Sequence, residues 1–134
     1  MKHILPLTYE PKIPDVISGK CTQTIRPMSN KKEKSKGDFV MFHGWAGKPY
    51  RSKWSFRTPY WELTEVITVD IREHAMGYYE GNTLMGINTE IINSVAMADG
   101  FIDYEHMYNQ FVKMYGKRFL ENNKFQVLQW KYTL

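Results

Sequence analysis

The sequence contains a single cysteine, Cys21, so no disulfide can form within the chain. A lone cysteine is typical of proteins of a reducing compartment. No apolar run approaches the roughly 20 residues that a membrane-spanning helix requires. The first twelve residues lack the apolar stretch and the small-residue cleavage site of a secretory signal. We therefore expect a cytoplasmic protein with no membrane partner.

Motifs for metal or cofactor chemistry are also missing. The four histidines are scattered along the chain without the spacing of zinc ligands. No glycine-rich phosphate-binding loop precedes a predicted helix. The sequence also lacks the order of serine, histidine and aspartate found in the usual hydrolase triads. It therefore predicts neither a bound metal nor a cofactor.

The charged residues that are present lie unevenly along the chain. The 134 residues, of which 43% are hydrophobic, suit one globular domain over 1–134, and the net charge is +4. Residues 31–61 hold eight lysines and arginines but only two acidic residues, so this segment carries +6 and the remainder −2. A basic segment on a slightly acidic body favours a phosphate-bearing partner. The alternative is a lysine-rich loop that is simply solvated.

Short alternating segments separated by glycine and proline predict strands, and two or three segments with caps predict short helices. The pattern predicts an α+β domain with about five to seven mixed or antiparallel strands, as a compact or partly closed barrel. The predicted strands cover 3–8, 22–26, 38–43, 53–57, 61–72 and 124–132, with a hairpin in 78–87, and the predicted helices cover 11–19, 88–98 and 104–115.

One run of residues carries a family resemblance. A known signature consists, in this order, of a glycine, a lysine, a position with threonine or glutamate, and an arginine. Gly19, Thr24 and Arg26 match three of these positions, and Cys21 stands where the lysine is usual. A lysine-rich loop and the stretch 96–101, which precedes a capped helix, follow in the expected order. In these features the chain resembles the ASCH family of the PUA-like superfamily. The resemblance implies a PUA-like β-barrel with a ligand cleft between the barrel and two to three flanking helices.

Some members of this family are N4-acetylcytidine amidohydrolases. The resemblance implies a threonine nucleophile at Thr24 and an acidic residue at Asp99, one methylene shorter than the family's glutamate. The family's lysine falls at Cys21, so Lys20 is the adjacent amine that could replace it. Such chemistry needs a base within hydrogen-bond reach of the hydroxyl.

The strand geometry also indicates a polar stripe. Alternate side chains share a face, so Thr22, Thr24 and Arg26 point one way. Arg26 offers a planar fork of donors suited to phosphate or a base edge. The alternative is an ordinary edge strand with arginine paired to a local carboxylate.

The basic segment is interleaved with aromatic residues. Such residues can stack on unpaired bases while lysines and arginines neutralise phosphates. The alternative is that the aromatic side chains are core and the basic ones solvated. The candidate ligand-binding residues are Cys21, Thr22, Arg26, Lys31, Lys32, Lys34, Trp45, Arg51, Lys53 and Arg57.

Three hypotheses for function follow. The first is a module that binds RNA or a modified nucleotide near Lys20, Thr24, Arg26 and Asp99. The second is a hydrolase, either an amidohydrolase on acylated cytidine or a ribonuclease, that uses Thr24, Lys20 and Asp99. The third is a non-catalytic protein-interaction module.

Overall fold

Strands dominate the first two thirds of the chain, and three helices precede the last strand. The computed structural model describes residues 1–28, 33–45 and 54–134, without the side chains of Trp45 and Trp54. The strands are β1 Lys2–Pro6, β2 Gln23–Pro27, β3 Phe39–Trp45, β4 Trp54–Arg57, β5 Trp61–Ile71, β6 Met76–Glu80, β7 Thr83–Gly86 and β8 Phe125–Trp130. The helices are a 3₁₀ turn Glu10–Lys12, α1 Ile13–Ser18, α2 Thr89–Ala98, α3 Tyr104–Tyr115 and α4 Lys117–Asn122.

The eight described strands form one open sheet. β5 is its longest strand and pairs in turn with β3, β8 and β6. β8 continues to β2, and β3 continues to β1 in parallel orientation. The main path therefore runs β2, β8, β5, β3, β1, with β4 attached to β3 and the β6–β7 hairpin attached to β5. The strands β1 and β2 are the two ends of this path, and the gap between them is called the seam.

The predicted α+β class with a barrel-like sheet is confirmed. The described residues contain eight strands and four α-helices, where the sequence pattern indicated about five to seven strands and two to three helices. The additional helix is α4, which begins directly after Gly116 without a capping side chain and therefore lacks a start signal in the sequence. No described helix has the length and apolar character needed to cross a membrane.

Local signals place the helix ends as expected. The Asp103 side chain accepts a hydrogen bond from the backbone N–H of His106 at 2.8 Å and so caps α3. Asn88 caps α2 in the same way through the N–H of Ile91. Helix α1 ends at Gly19, whose φ of 84° is the left-handed conformation that favours glycine.

Two hydrophobic clusters lie on opposite faces of β2 and β8. Ile25, Phe125 and Val127 pack with the helical side chains of α2, α3 and α4. Leu128 and Trp130 face the other cluster, which contains residues of β3, β5 and α1. The predicted alternation along β8 is therefore confirmed. Among the described strands, β2 pairs only with β8, and its other edge lies between these two clusters.

Candidate functional site

A cavity of about 220 Å³ lies at the seam. Residues that follow β1, the unpaired edge of β2, the 3₁₀ turn and helix α3 all contribute to its walls. The lining residues are Pro6, Leu7, Thr8, Tyr9, Lys12, Thr24, Ile25, Arg26, Asp99, Phe101, Phe111, Met114 and Tyr115.

Arg26 joins the two ends of the sheet. Its guanidinium donates a short hydrogen bond to the carbonyl oxygen of Pro6, the last residue of β1. The same guanidinium lies 5.6 Å from the centre of the Phe42 ring, where a cation interacts favourably with the aromatic face. A single side chain therefore both closes the seam and presents a cation to the cavity.

A buried ion pair forms the polar part of the cavity wall. The Nζ atom of Lys12 lies 3.1 Å from Oδ2 of Asp99, and the two side chains are only 3% and 2% exposed. Gln23 Nε2 donates to the other carboxylate oxygen at 3.3 Å and to the carbonyl of Val95 at 2.9 Å. Gln129 in turn donates to Gln23 Oε1 at 3.0 Å. Asp99 is thus held from two directions.

Burial raises the pKa of the Asp99 carboxyl, while the neighbouring Lys12 ammonium and the hydrogen bond from Gln23 act in the opposite direction. A carboxylate in this setting has a stronger tendency to take up a proton than one in water. It is therefore suited to accept a proton or hydrogen bond from a ligand.

The end of helix α2 explains why Asp99 points inward. The N–H of Phe101 bonds to the carbonyl of Ala96 and the N–H of Gly100 to that of Met97, at 3.0 Å each. This pair of bonds is a Schellman motif, which requires the left-handed conformation that Gly100 adopts at φ 96°. The turn places Asp99 on the inner side of the helix end and Phe101 in the cavity wall.

The structure brings together three of the residues proposed from sequence. Thr24, Arg26 and Asp99 all line the cavity. Thr24 is only 4% exposed, and its hydroxyl forms no hydrogen bond with the part of the chain that the structure describes. This hydroxyl is therefore available to a bound group.

Lys20 and Cys21 lie elsewhere. Lys20 is exposed between α1 and β2 and is not part of the cavity wall. Cys21 packs in the cluster that contains Phe42 and Trp61, and its thiol donates to the carbonyl of Ala98 at 3.3 Å. Burial raises the pKa of this thiol, which favours the protonated form over the nucleophilic thiolate. Thr22, half-buried, precedes β2.

The basic and aromatic candidates are spread more widely. Lys34 is buried in the connection from β2 to β3, and Arg57 is exposed at the end of β4. Trp45 ends β3 opposite Trp54, and its side chain is outside the described atoms. Four further candidates, Lys31, Lys32, Arg51 and Lys53, lie outside the described residues.

Sequence reasoning missed Lys12, which is the lysine of the cavity. It lies in the first turn of a short predicted helix, next to Pro11, where no sequence pattern marks it as a site residue. That turn is 3₁₀ with three residues per turn, so the inward side differs from that of a continuous α-helix. Lys12 is buried as a result, whereas Ile17, which lies at helical spacing from Ile13, is 46% exposed.

Aromatic rings form the remaining wall of the cavity. Tyr9 and Phe101 have their ring centres 5.2 Å apart, and Phe111 meets Phe101 edge to face at 5.8 Å. The cavity therefore combines flat apolar surfaces with hydrogen-bond donors and acceptors. Among the described residues, no three histidine, cysteine or acidic side chains lie close enough to hold a metal ion.

The chain was compared with protein-family models, with curated proteins and with solved structures, and it matches none of them.

Proposed function

We propose that the protein binds RNA, or a modified nucleotide, by receiving one base in the cavity at the seam. The observation that carries this proposal is the joint lining of the cavity by aromatic rings and by Lys12, Thr24 and Asp99. Proteins that recognise unstacked bases place them against aromatic side chains and bind their edges by hydrogen bonds. The cavity volume of about 220 Å³ suits one such group rather than a larger ligand.

The charges around the cavity support the same proposal. Lys12 neutralises Asp99, so Arg26 adds a positive charge to a site whose described lining residues include no other acidic side chain. Positive side chains at the entrance of a base pocket would hold the phosphates on either side of the bound base. The resemblance to the ASCH family, whose Thr24 and Arg26 positions line this cavity, supports a PUA-like ligand cleft at the same place.

Binding of single-stranded RNA is the first test. We expect labelled RNA to bind in fluorescence anisotropy and to weaken steeply with salt, by a logarithmic slope of about −0.7 for each phosphate contacted. Arg26→Ala should weaken binding by about tenfold or more, since hydrogen bonds to charged groups contribute about 1.5–3 kcal/mol. Thr24→Val keeps the shape of the side chain but removes its hydroxyl, so it should also weaken RNA binding if the base is held in the cavity.

Arg118→Ala is the matched control, because it removes the same charge from an exposed position on α4. It should weaken RNA binding much less than Arg26→Ala. No binding at micromolar protein and low salt, or equal losses for the two arginine variants, would contradict the proposal.

A hydrolase is the second candidate, favoured by the buried Lys12–Asp99 pair that shares the cavity with Thr24. In this hypothesis the Thr24 hydroxyl attacks the acyl carbon of an N4-acylated cytidine, and its proton passes to the Asp99 carboxylate, whose pKa is raised by burial. The bond from the acyl carbon to N4 then breaks, and cytidine leaves with this proton on N4. Water hydrolyses the acyl ester on Thr24, which releases the carboxylic acid and restores the hydroxyl. Lys12, rather than the exposed Lys20, is the amine of this site.

This hypothesis predicts a specific pattern of lost activity. Thr24→Val removes the nucleophile and Asp99→Asn removes the carboxylate, so each should abolish the release of acetate from N4-acetylcytidine. Chromatography of the reaction mixture measures this release. Lys20→Ala should retain full turnover, because Lys20 lies outside the cavity wall. Circular dichroism shows whether each variant is folded. Equal turnover in folded Thr24→Val and in the parent protein would reject the mechanism.

A further inference from the structure

Three basic side chains cluster beside the seam. The guanidinium of Arg26 bonds to the carbonyl of Pro6, and His43 is the partner of Pro6 in the pairing of β1 with β3. Lys34 lies in the connection between β2, which carries Arg26, and β3, which carries His43. The positive charge of Arg26 adds to burial in lowering the pKa of both Lys34 and His43, as expected for groups that are close to it.

Lys34 differs from Lys12, the other lysine that is buried among the described residues. It is 8% exposed, and it forms no hydrogen bond or ion pair with the residues in 1–28, 33–45 and 54–134. Lys12, in contrast, has the Asp99 carboxylate at 3.1 Å. A buried ammonium without a counter-charge is strongly unfavourable, and a second cation nearby makes it more so. An anion bound beside Lys34 would remove this penalty.

We propose that Arg26 and Lys34, next to His43, form the binding position of a phosphate group. The ligand of the adjoining cavity is then a nucleotide or an RNA phosphodiester, not a free nucleoside or base. This inference rests on the proposed function for the identity of the ligand. An arginine fork binds two phosphate oxygens at once, and lysine adds a compact charge. Arg26 also lines the cavity, so phosphate and base would be held side by side.

Thermal unfolding with inorganic phosphate tests the anion position directly. We expect phosphate to raise the unfolding midpoint of the parent protein, because it binds the folded state. Lys34→Met should lose this shift and, without phosphate, should unfold at the same temperature as the parent or higher, since an unfavourable charge is gone. Lys34→Arg should keep the shift. Lys36→Met, at a position whose side chain is 72% exposed, should also keep it and reports any general salt effect.

The ligand class is tested by calorimetry with each of the four common nucleosides and its 5′-monophosphate. At least one monophosphate should bind about tenfold or more tightly than its nucleoside, and Lys34→Met should remove that difference. A phosphate shift that persists in Lys34→Met, or a Lys34→Met protein that unfolds at a lower temperature, would overturn the phosphate position even if RNA binds. A phosphate shift that depends on Lys34, without any RNA binding, would instead refute the proposed function and leave the anion position standing.

Discussion

Lys12→Met is expected to lower the free energy of unfolding by about 3–5 kcal/mol, because it leaves the Asp99 carboxylate buried without its cation. Asp99 is 2% exposed, so its carboxylate is poorly solvated once the ammonium is removed. Gln23 would still donate one hydrogen bond, but a neutral amide does not compensate a full charge. The measurement is urea denaturation followed by circular dichroism at neutral pH.

The same variant should depend on pH in a defined direction. Burial raises the pKa of Asp99 in the folded protein, and loss of Lys12 removes an influence that lowers it. A carboxyl whose pKa is raised by folding destabilises the folded state as the pH rises, because unfolding allows it to ionise in water. The stability deficit of Lys12→Met should therefore shrink toward acidic pH and grow toward neutral pH.

Two further variants decide whether the loss comes from the unpaired charge. Lys12→Met combined with Asp99→Leu removes both charges and should recover much of the lost stability. Lys36→Met breaks the exposed pair of Lys36 with Glu65, whose charged atoms are 3.7 Å apart, and should cost about 0–1 kcal/mol. A Lys12→Met protein as stable as Lys36→Met would show that the buried pair has no such role.

Phe125→Ala is expected to lower the free energy of unfolding by about 3–5 kcal/mol, the range for removing a large aromatic side chain from a packed core. Phe125 is fully buried on β8 and contacts the rings of Phe111, Tyr115 and Phe119. Two of these, Phe111 and Tyr115, line the cavity. The substitution should therefore weaken ligand binding as well as stability, since the cavity wall loses the ring behind it.

Urea denaturation measures the stability change, and RNA binding at low temperature measures the effect on the cavity in protein that remains folded. Phe39→Ala is the control, because Phe39 is 38% exposed at the start of β3 and is absent from the cavity wall. Phe39→Ala should lower the free energy of unfolding much less than Phe125→Ala does, and it should leave RNA binding unchanged. A Phe125→Ala protein with the stability and affinity of Phe39→Ala would contradict the assignment of Phe125 as the support of this wall.

Features set by neighbours along the chain were predictable. The alternation of Phe125, Val127, Leu128 and Trp130 across two faces needs only the period of a strand. The cap at Asp103 needs only a short polar side chain before the helix. These preferences act over a few residues, so they can be recognised without knowledge of the fold.

Features that depend on which distant segments meet were not predictable in this way. Thr24, Arg26 and Asp99 were placed in one site through the family resemblance, whereas Lys12 was missed because nothing near it in the sequence indicates burial. The burial of Lys34 and Cys21 was likewise not predictable from their neighbours in the sequence. Both were proposed as ligand-binding residues, and only the fold shows that each is buried, Cys21 outside the cavity wall.

Periodicity and capping residues were enough to predict the α+β class, most strand and helix positions and the helix caps, since both are local properties. The fold was needed to show that the ends of the sheet meet at Arg26 and that Lys12 reaches Asp99. The fold was also needed to show that Lys34 is buried with no counter-charge among the described residues. These outcomes depend on how the whole chain packs, because segments far apart in the sequence decide which side chains are buried and which charged groups meet.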